Sequence, residues 1–121
     1  MKGSCLCGAV TFETQGPVEG FAVCHCTQCR KQSGHVWASA HVGDQGLKIS
    51  GEVRWYASSE DAKRGFCPVC GSFLFWKHAK DDHTSFSLGS LDQANGVRLA
   101  KHIFTSDKGD YYDISDGLPQ F

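Results

Sequence analysis

Cys67-Pro68-Val69-Cys70-Gly71, with its earlier counterpart Cys5-Leu6-Cys7-Gly8, decides how this chain folds. Each is a cysteine doublet followed by glycine. A Cys-x-x-Cys turn lets two thiolates converge on one cation, and the glycine admits a backbone that turns N–H groups toward the sulfurs. On an extended chain residues i and i+2 share a face, so Cys5 and Cys7 also present two sulfurs in one direction. Together the pairs form one tetrahedral four-thiolate site. Zinc suits it, taking soft thiolates at about 2.3 Å without redox chemistry of its own. Such a staple closes a loop of about sixty residues, and metal binding on the order of 10 kcal/mol reinforces a small core. Its role is structural.

Between these pairs lies Cys24-His25-Cys26-Thr27-Gln28-Cys29. Three close thiolates leave a tetrahedral ion one ligand short, the pattern of catalytic zinc sites. An open position can take water or a substrate thiol, and a metal-held thiol is deprotonated near neutrality. The rival reading closes this site with a histidine, giving two structural zincs in a non-catalytic binding module. His25 is the nearest candidate. It alternates with Cys24 and Cys26, however, and on an extended chain points away from their sulfurs. Disulfides fit poorly, because a Cys5–Cys7 bridge would be strained and seven cysteines leave one over.

Around these motifs the chain reads as strands. Ala9 to Thr14 alternates, and Phe21 to Val23, Val36 to Val42, Phe73 to Lys77, Thr84 to Leu88 and Val97 to Phe104 are strand-like. Leu47 to Ile49 and Val53 to Tyr56 resemble the arms of a hairpin around Ser50-Gly51-Glu52. Ser58 to Lys63 is a polar connection. Thr27 to Gln32 is the one credible helical turn. Trp37, Trp55, Trp76, Phe66, Phe73 and Phe75 are expected to fill the core. The expected fold is mainly β, a small zinc-stapled antiparallel sheet structure with little helix, in a single domain over residues 1–121.

Hydrophobic residues make up 40% of the chain, enough for one modest core, and 14 glycines favour turns over long helices. A net charge of -1 with mixed signs supplies no field for nucleic acid, and no apolar run is long enough for a signal peptide or membrane span. The expected setting is the cytoplasm, with no nucleic-acid or membrane partner. Reducing compartments keep thiols free for metal.

Gly3-Ser4-Cys5-Leu6-Cys7-Gly8-Ala9-Val10, Cys24-His25-Cys26-Thr27-Gln28-Cys29-Arg30-Lys31 and Phe66-Cys67-Pro68-Val69-Cys70-Gly71-Ser72 occur in this order. The combined pattern resembles the glutathione-dependent formaldehyde-activating enzyme family, which includes centromere protein V. Lys101-His102-Ile103-Phe104 and Asp116-Gly117-Leu118-Pro119-Gln120-Phe121 also resemble the family's ending, whereas Tyr111 stands near a position where the family commonly has tryptophan. The resemblance implies two zinc ions per chain. Cys5, Cys7, Cys67 and Cys70 would hold the structural one, and Cys24, Cys26 and Cys29 the catalytic one. It also implies a carbon-sulfur lyase, similar to S-hydroxymethylglutathione synthase, whose partners are a small thiol such as glutathione and an aldehyde such as formaldehyde. Arg30 and Lys31 could attract the carboxylates of such a thiol. Ser33-Gly34-His35 could shape a pocket mouth, with His35 moving a proton. Both sets of residues also suit ordinary surface positions.

Overall fold

The computed structural model describes residues 1–93 and 96–121. In chain order its elements are β1 (Lys2–Ser4), β2 (Thr11–Thr14), β3 (Val18–Cys24), α1 (Thr27–Ser33), β4 (Trp37–Gly43), β5 (Leu47–Ser50), β6 (Arg54–Ala57), β7 (Ala62–Phe66), β8 (Phe73–His78), β9 (His83–Ser87) and β10 (Lys101–Ile103), with three short 3-10 turns. A small antiparallel sheet has the order β1-β2-β5, and a larger one the order β10-β3-β4-β9-β8-β7-β6. In the larger sheet only β10 runs parallel to its neighbour, β3. The fold is therefore mainly β, as expected. No helix among the described residues is long and apolar enough to cross a membrane.

One hydrophobic cluster joins the two sheets. Cys5, Val10 and Phe12 come from the small sheet and its following turn, while Ala40, Val42, Leu74, Phe75 and Phe86 come from the larger one. The alternation in β2 is the cause, since it buries Phe12 and leaves Thr11 and Glu13 exposed. Phe12 meets Phe75 edge-on at a centroid separation of 5.3 Å and Phe86 at 5.5 Å. Of the aromatic residues expected in the core, Phe75 and Trp37 are buried, whereas Phe66, Phe73, Trp55 and Trp76 are half-buried.

Three local expectations are corrected. Leu47 to Ile49 and Val53 to Tyr56 are not arms of one hairpin, because β5 pairs with β2 and β6 pairs with β7. Gly51, at φ 92°, lies where the chain leaves one sheet for the other. A side chain there would run into the carbonyl of Ala9, so close packing demands glycine in addition to the positive φ. The polar connection ends early, since Ala62 and Lys63 already belong to β7. Only Lys101 to Ile103 of the stretch Val97 to Phe104 is strand, and Phe104 adopts a left-handed conformation at φ 54° that ends it.

Asp44, just after β4, ties three elements together. It pairs with Lys77 of β8 and accepts the Thr84 hydroxyl of β9 at 2.6 Å. Burial alone would raise this carboxyl, but Lys77 and Thr84 outweigh it and hold the pKa below the ordinary value. A carboxyl depressed on folding adds stability above its unfolded pKa of about 4, and that contribution is lost as the pH falls through the lower folded value. Asp44→Asn is therefore expected to destabilise the protein at neutral pH and to shrink the loss of stability below about pH 4. Urea unfolding across a pH series measures this, and an acid limb identical to wild type would count against it.

Candidate metal centres

Cys5 and Cys7 follow β1, and Cys67 and Cys70 lie in the turn between β7 and β8. The fold brings their four Sγ atoms within 4.8 Å of one another. Cys5 and Cys7 sulfurs are 3.6 Å apart, and those of Cys7 and Cys67 are 3.8 Å apart. A tetrahedron of sulfurs about 2.3 Å from a central zinc has edges of about 3.8 Å, so these residues fit that ion. Gly8 and Gly71 adopt the positive φ values of 81° and 79° that end each turn. Backbone N–H groups point at the sulfurs: Val10 donates to Cys5 at 3.3 Å and Cys70 to Cys67 at 3.5 Å. The Ser72 hydroxyl accepts the Leu6 N–H at 3.0 Å and lies 3.2 Å from the Cys70 sulfur. That hydroxyl, with the neighbouring backbone N–H groups of Ser72 and Cys7, brings Cys70 down to about 5, toward the thiolate a metal requires.

The second group forms where β3 meets α1. Cys24 ends the strand, Cys26 caps the helix by accepting the Cys29 N–H at 3.3 Å, and Cys29 is buried in the first turn. The cap explains why the helix starts here, since a sulfur replaces the usual side-chain oxygen. Gly34, left-handed at φ 84°, ends it. The three Sγ atoms lie within 4.8 Å of one another, and among the described residues no histidine or carboxylate joins them. The Cys24 thiol holds Cys29 down to about 6, against the opposing effect of burial and with help from Arg64, while Cys24 itself is pushed up by Cys29 and by burial. The Arg64 guanidinium beside Cys29 favours the thiolate on that member of the pair. A cleft of about 300 Å³ opens beside the sulfurs, walled by Trp37, Trp76, Arg64, His78 and Phe104 among others.

His25 is turned away from the sulfurs, as its alternation implied. Its ring is buried, with Nδ1 bonded to the Tyr112 hydroxyl and Nε2 lying 2.9 Å from His102 Nδ1. His102 Nε2 in turn meets Asp116 Oδ2 at 2.9 Å. Burial, and next the neighbouring His102, lower the His25 pKa. This line of side chains pins the C-terminal segment against β3.

Lys31 lines a separate groove with Arg54, Trp55 and Tyr56, while Arg30 is half-buried with a buried Nε that has no partner among the described residues. His35 bonds to the Tyr111 hydroxyl at 2.8 Å and does not line the thiolate cleft; Ser33 Oγ accepts the His35 N–H at 3.1 Å. Sequence reasoning missed Arg64, which donates from Nη1 to Cys29 Sγ at 3.6 Å. No local signal marks it, because its partners Gln28, Cys29 and Gln32 lie 36, 35 and 32 positions away in the chain.

Comparisons with known proteins agree with this architecture. A family model described as glutathione-dependent formaldehyde-activating enzyme matches residues 1–107. A Schizosaccharomyces pombe protein named as an uncharacterized lyase is 25% identical over 127 residues, which cover 99% of this chain and 89% of that one. The crystal structure of a Rhodobacter sphaeroides protein superposes with a TM-score of 0.63 at 27% identity, covering 78% of this chain and 91% of that one.

Proposed function

The chain belongs to the glutathione-dependent formaldehyde-activating enzyme family, and on that premise we propose that it is a zinc-dependent carbon-sulfur lyase that adds a small thiol such as glutathione to an aldehyde such as formaldehyde, or runs the reverse. The family and the lyase-named relative support a lyase-like function of this general kind. The observation that carries the finer reading is the trio Cys24, Cys26 and Cys29 on the wall of a cleft, with no histidine or carboxylate among the described residues to complete a fourth position. In this reading Cys5, Cys7, Cys67 and Cys70 hold a structural zinc and the trio holds a catalytic one.

When bound, zinc would supply a site where a thiol loses its proton and is held as a thiolate. The overall addition would join the thiol sulfur to the aldehyde carbon, with the carbonyl's π electrons becoming an oxygen lone pair that takes up, through water, the proton given up by the thiol. The reverse reaction breaks the same bond. Cys29, already inclined to the thiolate by Cys24 and Arg64, holds the metal side of the cleft, while Trp37 and Trp76 form part of its apolar wall.

Cobalt substitution tests this reading. Added glutathione is expected to intensify the sulfur-to-cobalt charge-transfer absorption in wild type but not in Cys26→Ser, and the wild-type zinc protein is expected to accelerate S-hydroxymethylglutathione formation over the uncatalysed background. A spectrum unmoved by a broad series of thiols would instead mean two structural sites and no enzyme.

A further inference from the structure

Arg64 is a buried cation with an unusual set of partners. It is only 5% exposed, and its guanidinium is held from several sides. Nε donates to Gln28 Oε1 at 3.2 Å, and Nη1 donates to Gln32 Oε1 at 3.4 Å and to Cys29 Sγ at 3.6 Å. The Phe73 ring lies 5.5 Å from its Cζ. A charge removed this far from water normally has an anionic partner. Neither glutamine carries charge, and among the described residues no carboxylate lines the adjoining cleft, which leaves Cys29 as the one bonded partner described that is able to become an anion.

The cleft thus offers a fixed cation and, among the described residues, no carboxylate. Three thiolates already exceed the charge of a divalent cation, and an entering thiolate adds to the excess. In a half-buried cleft that accumulation opposes binding unless a fixed positive charge stands beside it.

We propose that Arg64 is a positioning residue of the thiolate centre, fixing the Cys29 sulfur and offsetting the negative charge of an anionic sulfur ligand that enters the cleft. This rests on the reading of Cys24, Cys26 and Cys29 as a metal centre with an open position. Its planar fork suits it for the task, because it engages the sulfur while Gln28 and Gln32 hold it in orientation. The charge selects ligands by sign.

The test compares an anionic with a neutral ligand on cobalt-loaded wild type, Arg64→Leu and Arg64→Lys, all at one pH. The probes are 2-mercaptoethanol, which binds metal as thiolate, and imidazole, which binds uncharged. Elemental analysis gives metal content, and the visible spectrum gives affinity. Arg64→Leu is expected to lose about tenfold in thiol affinity while its imidazole affinity stays within about twofold of wild type. Arg64→Lys keeps the charge but not the fork, and is expected to lose about threefold; it carries the comparison alone if Arg64→Leu does not fold. Equal losses for both ligands would mark a packing role and overturn the proposal, as would unchanged thiol affinity in either metal-loaded variant. Wild type that binds neither probe would overturn the open-position reading and this proposal with it, whereas binding by wild type and matching variants would overturn this proposal alone.

Discussion

Cys67→Ser is expected to leave the chain largely unfolded, whereas Cys26→Ser is expected to fold and to carry one metal ion fewer than the two of wild type. Cys67 is fully buried, and its sulfur lies 3.8 Å from that of Cys7, 60 positions away. The four-sulfur group fastens the turn after β1 to the turn after β7, which ties the small sheet to the larger one. A structural zinc contributes on the order of 10 kcal/mol, comparable with the whole stability of a typical domain, so losing one ligand removes most of what holds the sheets together. Cys26 belongs to a cluster confined to β3 and the first turn of α1, where the surrounding strand pairings remain when the metal leaves. Far-UV circular dichroism and elemental analysis of both variants measure the contrast. Equal collapse would give the second centre a structural role, and equal resilience would deny the first one its function as a staple.

Phe75→Ala is expected to cost about 3 to 5 kcal/mol, the range for deleting a buried aromatic ring, and to lower Tm by on the order of 10 °C or more. Phe75 is fully buried on β8 and makes the edge contact with Phe12 across the two sheets. Trp55 packs near it at 6.2 Å. The cavity would open where the sheets meet, beneath the four-sulfur staple, and rigid strands on both sides leave it little room to collapse. Tyr56→Ala on the exposed face of β6 is the control, with an effect within about 0.5 kcal/mol. Urea and thermal unfolding of the metal-saturated proteins provide the measurement. Similar midpoints for the two variants would mean that Phe75 does not carry the junction.

Most of the local structure was legible because it follows from short-range geometry. A Cys-x-x-Cys turn closed by glycine leaves few backbone solutions, and Gly71 at φ 79° takes the one its neighbours require. The alternation of β2 buries Phe12 without reference to the rest of the chain. The helix after Cys26 was readable from six residues without glycine or proline, although its sulfur cap was not. The hairpin expected from Leu47 to Tyr56 failed for a different reason. Adjacent strand-like segments often pair, but here Ser50, Gly51 and Glu52 let the chain change sheets, and only the competing partners β2 and β7 decide that.

The sequence by itself determined the local clusters Cys5 and Cys7, Cys24 to Cys29, and Cys67 and Cys70, because ligand spacing within each is a property of a few consecutive residues, and it placed His25 on the side away from the sulfurs by simple alternation. Only the tertiary structure decided that Arg64 reaches Cys29 across 35 positions, that His25, His102 and Asp116 form one line, and that Trp37 lines a cleft rather than merely filling the core. Each of these depends on strands distant in sequence meeting through burial, and burial is non-directional: it selects apolar faces without naming which face they must meet.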